Sequence, residues 1–287
     1  MGSEILIIVP MKQYITAILI ICSLVGCIKE PDLAAGYRQR LVVEGYIENE
    51  RAAVVALSVN INSRDEYDEE SITDMIVRWA KVTVEDEDGR QEILTGRVNK
   101  DYPTRFIYTG SEIVGKVGCS YKLIVEYSGQ VWEASTTIPQ PAMLEDISIE
   151  HFRDSMYTIS AVIPPIATPC SIDCSVDRSS YYAPTLLGVY AASSERRHIT
   201  INRPLYNLVH NDYFTYFISN EEIVLRLNTL NDFGYTYRSE WENSMINSAN
   251  PVFPSTSNMP TNLSNNGIGI WTGYGTTYHY VGEIPAD

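Results

Sequence analysis

Basic residues are scarce in this chain. It holds 21 Lys and Arg against 36 Asp and Glu, a formal net charge of −15. A surface this acidic repels phosphate backbones and anionic headgroups, so nucleic acid is excluded as a partner. There are only four histidines, and His151, His198, His210 and His279 are scattered rather than spaced as metal ligands or as a base beside a nucleophile. No G-x-S-x-G elbow, H-E-x-x-H helix, P-loop or Rossmann glycine pattern occurs, so no catalytic constellation has local support. Only one apolar run approaches membrane length, and it lies near the start. No cofactor and no metal site is expected. The acidic run Asp65, Glu66, Asp68, Glu69, Glu70 and Asp74 lacks the D-x-D-x-D-G spacing and its glycine, so it reads as a solvated loop rather than a calcium site.

What is present begins with that run. Lys12 opens a short positive segment, and Tyr14 to Val25 is uncharged and apolar. Its length suits the h-region of a secretory signal, about 7–15 residues, better than a spanning helix, which needs about 20. Gly26-Cys27 then matches the cleavage site of bacterial lipoproteins, with the Cys27 thiol as the acyl acceptor. The alternatives are an ordinary cleaved signal, or a buried apolar helix with a chance cysteine. Residues 1–26 are therefore expected to be a signal peptide with an upstream leader at 1–10, and 27–40 a lipidated tether. Removing Glu4 and Lys12 together leaves the charge unchanged.

Beyond the tether, short β-type runs dominate. LVVEGYI (41–47) and AAVVALSVN (52–60) are β-branched and apolar. VTVE and QEIL flank Asp88-Gly89, and KLIVEY and VWEAST flank Ser128-Gly129; both pairs are hairpin signals. About seven strands by residue 138 fit an immunoglobulin- or fibronectin-like β-sandwich. Pro139 and Pro141 suggest a boundary, giving a sandwich domain at 41–142 and a second β-rich domain at 143–287. The second holds one short helix over Gly234–Asn247, where Tyr237, Trp241 and Met245 share a face and Asn231-Asp232 offers a cap. The fold class expected is mainly β.

Three cysteines fall in these domains. Cys170 and Cys174 are four apart in TPCSIDCS, a spacing that allows a small loop disulfide and equally allows two unpaired cysteines; a zinc site at C-x3-C would need further ligands that the neighbourhood lacks. Cys119 is expected as a small hydrophobe. Twenty tyrosines stand against six phenylalanines, and tyrosines suit both cores and binding surfaces. The group Trp271, Tyr274, Tyr278 and Tyr280, set beside glycines, is the candidate binding surface.

These landmarks in order carry a resemblance. A lipobox cysteine precedes LVVEGYI; AKVTVEDEDG follows; then Gly118, Tyr121, Lys122, Leu123 and Val125 in G-x-x-Y-K-L-x-V; then Thr136-Thr137-Ile138-Pro139; and finally NPVFP and NLSNNGIGIWTGYG. The chain resembles the Bacteroidota outer-membrane lipoproteins of domain-of-unknown-function family 4249. The resemblance implies an accessory role beside a TonB-dependent outer-membrane receptor and supplies no catalytic residues. A surface adhesin and a hydrolase whose site forms only in the fold are the alternatives. Ile28 rather than Asp follows Cys27, and Lys29-Glu30-Pro31-Asp32 resembles surface-export tags, so anchoring at the cell surface is expected rather than at the periplasmic face.

Overall fold

The computed structural model describes residues 40–60, 74–204, 216–248 and 259–286. The signal, the Cys27 anchor, the tether to residue 39 and the acidic run at 65–70 lie outside these. Sixteen strands are described: β1 (Leu41–Glu48), β2 (Ala52–Val59), β3 (Lys81–Asp86), β4 (Gln91–Ile93), β5 (Thr95–Val98), β6 (Phe106–Val114), β7 (Ser120–Tyr127), β8 (Gln130–Thr137), β9 (Glu145–Arg153), β10 (Met156–Ile163), β11 (Cys170–Val176), β12 (Ala183–Tyr190), β13 (Arg197–Ile201), β14 (Phe217–Ile218), β15 (Glu222–Leu230) and β16 (Ile268–Glu283). One helix, α1 (Asp232–Ser248), separates β15 from β16. The chain is mainly β.

Local chemistry sets the turns. Ser128 and Gly129 both take positive φ, 52° and 74°, and join β7 to β8 with Tyr127 opposite Gln130. That is the backbone of a type I′ hairpin turn. At the β3–β4 hairpin the Gly89 amide donates to the Asp86 carbonyl at 3.0 Å. The helix starts where its cap allows: Asn231 Oδ1 accepts from the Gly234 amide at 2.7 Å, and its Nδ2 donates to Thr136 on β8 at 3.0 Å.

The strands form three sheets. The longest has eight strands in the order β12-β11-β15-β16-β1-β2-β6-β5. A four-stranded sheet, β4-β3-β7-β8, covers one part of it, and a second, built on β10 with β9, β13 and β14, covers another. Each pairing of layers encloses an apolar core. The first holds Val43, Ile47, Val55, Leu57, Leu123, Val125 and Trp132. The second holds Ile159, Ile163, Ile172, Leu225, Leu227 and Phe217. The packing is sandwich-like, one long sheet facing two short ones.

The boundary expected near residue 142 is not a break between sheets. β16 pairs in parallel with β1, from Val42↔Ile268 to Glu48↔Tyr274, and antiparallel with β15. It runs for sixteen residues and joins the two cores, giving Trp271 to the first and Val281 to the rim of the second. The 139–144 segment is stitched to this long strand and to β15. Thr277 donates to the Ala142 carbonyl at 2.6 Å, Thr229 to the Gln140 carbonyl at 2.8 Å, and the Leu144 amide to His279 Nε2 at 3.2 Å. The glycines of β16 permit this. A Cβ on Gly273 would stand 2.6 Å from the Thr137 carbonyl oxygen, and one on Gly275 2.3 Å from that of Pro139. Close backbone approach, rather than flexibility beside a binding surface, accounts for them.

Candidate functional site

Side chains on a strand alternate between faces, and the long sheet uses the two faces differently. On β1, Val43 and Ile47 enter the first core while Glu44 and Tyr46 line a cavity on the other side. On β15, Leu225 and Leu227 enter the second core, while Arg226 and Asn228 reach Asp173. On β11, Cys170, Ile172 and Cys174 are core residues, and Asp173 falls between them.

Asp173 is the hub. Its Oδ2 accepts from Arg226 Nη2 at 2.7 Å and from Asn228 Nδ2 at 2.7 Å. Its Oδ1 accepts from Arg238 on α1. Asp173 is 1% exposed and Arg226 4%. Burial alone would drive such charges toward neutrality. Burial does push Asp173 up, but the guanidiniums of Arg238 and Arg226 outweigh it and hold the carboxyl below its ordinary range. Burial likewise pulls Arg226 down, and Asp173, with Tyr46 and Glu48, raises it well above normal instead. Glu48 lies 3.9 Å from Arg226 and accepts from the Tyr278 hydroxyl at 2.7 Å. The Arg226 guanidinium also sits over three rings, 5.0 Å from Tyr182, 5.1 Å from Tyr46 and 5.8 Å from Tyr274. The second oxygen of Glu48 and the Nε atoms of Arg226 and Arg238 have no hydrogen-bond partner among the described residues.

Two loops close over this face. Ser180 donates from its amide to Asp101 at 2.7 Å, Asn99 donates to the Ser180 hydroxyl at 3.0 Å, and the Tyr102 and Tyr181 rings stand 5.0 Å apart. Tyr46 and Tyr102 share a hydroxyl–hydroxyl bond of 2.9 Å. Between the loops, α1 and the sheet lies a cavity of about 260 Å³, walled by Tyr46, Tyr102, Tyr181, Tyr237, Trp241 and Tyr274, with Glu44, Arg226 and Arg238 as its charged groups. A second cavity of about 330 Å³ shares Tyr46, Tyr102, Tyr182 and Arg226 with it and adds Glu48, Arg51, Asn99 and Tyr278. Burial pushes the Tyr274 hydroxyl up to about 12, so this wall is a neutral phenol at physiological pH.

The residues expected from sequence divide. Trp271 is not a surface residue: it is fully buried, and its indole donates to the Tyr121 carbonyl at 3.1 Å, its ring packed close over Gly45, where a Cβ would stand 3.0 Å from it. Tyr274 lines the first cavity and Tyr278 the second. Tyr280 is 68% exposed. Cys170 and Cys174 are not joined in a disulfide. They lie on one extended strand rather than in a loop, and four residues at about 3.3 Å each separate them by about 13 Å, beyond the 7 Å limit for a disulfide. Cys119 packs, half-buried, against the first core. Asp173, Arg226, Arg238, Glu44 and Glu48 escaped notice. For those on strands the signal is charge inside apolar patterns, as in EIVLRL and CSIDCS; Arg238, on the helix, carries no such signal. Among the described residues no group of three His, Cys, Asp or Glu side chains could hold a metal ion, and no helix is long and apolar enough to cross a membrane.

Fold and cavity together define a mainly β protein with a tyrosine-walled pocket on one face of its central sheet. The chain belongs to the family described as Domain of unknown function (DUF4249), which matches residues 28–279. No curated protein matches it. Among solved structures it is similar to a DUF4785 family protein from Legionella pneumophila, at 10% identity and a TM-score of 0.20, over 66% of this chain and 52% of that one. It is also similar to a pullulanase complexed with maltotriose from Anoxybacillus sp. LM18-11, at 9% identity and a TM-score of 0.22, over 64% of this chain and 24% of that one. The chain thus spans about half the length of the first and a quarter of the second.

Proposed function

We propose that this protein is a lipid-anchored outer-membrane lipoprotein that captures a small ligand on the polar face of its long sheet, as the accessory partner of a TonB-dependent transporter. The observation that carries the capture reading is the cavity of about 260 Å³ with its aromatic walls and few charged groups, the composition of small-molecule sites generally. Gly26-Cys27 after an apolar run supports the anchor, and the resemblance of the sequence to outer-membrane lipoproteins supports the transporter partnership. The site favours binding over catalysis. A carboxyl held ionised by two guanidiniums, as Asp173 is, makes a poor general acid and, with its lone pairs occupied, a poor base.

The partnership is tested by isolating the protein through a C-terminal tag in mild detergent. A large β-barrel receptor should accompany it, and recovery of the lipoprotein alone would count against the partnership. Protease shaving of intact cells should remove it if the anchor places it at the cell surface.

A further inference from the structure

We propose that the cavity of about 260 Å³ takes the positively charged end of a small organic ligand, an amine, guanidinium or quaternary ammonium group, with Glu44 as counter-ion and Tyr181, Tyr237 and Trp241 as walls. The proposal rests on the capture reading and names its ligand class.

The charge inventory points this way. Arg226 and Arg238 are both committed to Asp173, and Arg226 also to Glu48. Arg51 pairs with Glu48, lies over the Tyr278 ring and lines the other cavity. Glu242 of α1 accepts from the Gly188 amide and is not part of the lining. Glu44 alone among the lining charges makes no hydrogen bond or ion pair with the described residues. It is therefore the charge available to a ligand. An anionic ligand would meet this carboxylate, while both guanidiniums already hold Asp173 and keep only their buried Nε atoms unpartnered among the described residues.

The walls agree. Aromatic faces carry negative quadrupole and attract cations, most strongly where water is displaced. Tyr181 and Tyr237 lie near enough to Glu44 that, after burial, its charge is the next cause raising their hydroxyls. The fold already seats one cation by this chemistry: the Arg226 guanidinium lies among Tyr46, Tyr182 and Tyr274 with Asp173 and Glu48 as counter-ions. The cavity offers a ligand groups of the same kinds, a carboxylate and aromatic rings. At about 260 Å³ it sits just under the usual range of roughly 300–1,000 Å³ for ligand pockets, so it suits one head group rather than a polymer.

Glu44 is open to solvent in the cavity yet ringed by protein. This crowding raises its carboxyl above the ordinary value, with Arg238 pulling the other way. The other nearby carboxyls, Asp173 and Glu48, pair with Arg226 and do not line this cavity. A bound cation favours the ionised form, so affinity should fall as pH drops through the raised Glu44 value.

The test uses the full chain and calorimetry with benzyltrimethylammonium, benzylamine, benzyl alcohol and benzoate. The two cations should bind about tenfold or more tighter than benzyl alcohol, benzoate more weakly than either, and Glu44→Gln should erase the preference for cations. Equal affinity for the cation and the alcohol, preference for benzoate, unchanged cation binding in Glu44→Gln, or no binding of any probe would overturn the proposal. The ranking of probes by the unaltered chain decides it even if the variant misfolds. Benzyl alcohol binding best, and lost in Tyr237→Ala, would overturn the cation assignment while leaving the capture reading intact; receptor recovery tests the partnership separately.

Discussion

The two faces of the long sheet come from the same strands but obey different energetics. One face is filled by Val43, Ile47, Val55, Leu57, Ile172, Leu225 and Leu227 against two smaller sheets. The other carries Glu48, Asp173, Arg226 and Asn228, all buried, under a helix and two loops. Apolar burial is non-directional and contributes roughly 25 cal/mol per Å². Buried ion pairs are costly to desolvate and regain that cost only in one geometry. The first face therefore carries stability, while the second fixes a shape: a cavity whose charged groups point in set directions.

Two substitutions separate these roles. Trp271→Ala on the apolar side should cost about 3–5 kcal/mol in denaturant unfolding, the range for a large buried aromatic. Asp173→Ala on the polar side should cost a similar amount, about 3–5 kcal/mol, because it leaves Arg226 and Arg238 buried without their counter-ion. The faces part company on combination. Replacing Asp173, Arg226 and Arg238 together by Leu, Met and Met should cost less than Asp173→Ala alone. If the triple variant lost the sum of the single losses, the polar face would be a stability element and the contrast would fail.

Sequence reading captured one face far better than the other. Alternation and turn chemistry located β1, β2, the two hairpins and α1, because local signals specify them. From sequence, β11 allows a cysteine loop as readily as a strand. Its CSIDCS run mixes core residues with a buried carboxylate, and pattern alone cannot tell a charge buried with partners from one left in water. Those partners, Arg226 and Arg238, lie 53 and 65 residues away in the chain. The glycines of β16 misled in the same way: whether a glycine serves flexibility or close approach depends on what packs against it. Tyr274 and Tyr278, two of the four residues of the expected binding surface, line the cavities, but the feature that organises them is a charge network no local motif encodes.

A smaller effect tests the tie between the layers. Glu92 on β4 accepts from the amides of Ser111, Glu112 and Ile113 on β6, at 2.5, 3.0 and 2.7 Å, where the β2–β6 pairing is irregular. Burial pushes its carboxyl up, but the three amides outweigh it and hold the carboxyl below the ordinary value. Glu92→Gln should cost about 2 kcal/mol, since charge-assisted bonds weaken and one amide is left facing an NH₂ group. The sign with pH follows. Glu92 and Asp173 have folded values below their unfolded ones, so their stabilisation is complete above the unfolded carboxylate range and is lost as pH falls through the depressed values. Unfolding midpoints measured from pH 7 downward should show this loss, with a shallower acid slope in Glu92→Gln. An unchanged slope would remove Glu92 from the account. At the small end, Tyr102→Phe should cost about 1 kcal/mol through its bond to Tyr46.

The finest test of the contrast lies within β11, which displays both faces in seven residues. Asp173 turns to the charge network, while Cys170 and Cys174 turn to the second core. Burial pushes the Cys170 thiol up to about 12 and raises Cys174 further above the ordinary thiol range. Because the thiolate is the reactive form, neither should react in the folded protein. In a chain starting at Ile28 with Cys119→Ser, a disulfide-exchange reagent should label no thiol until denaturant unfolds the chain, and then two. Reductant should leave the unfolding midpoint unchanged. A paired loop would behave otherwise: reduction would destabilise the chain, by about 2 kcal/mol or more, and denaturant alone would release no thiol. Rapid labelling in the native state would turn one cysteine out of the core, and with it the alternation that aims Asp173 at Arg226 and Arg238.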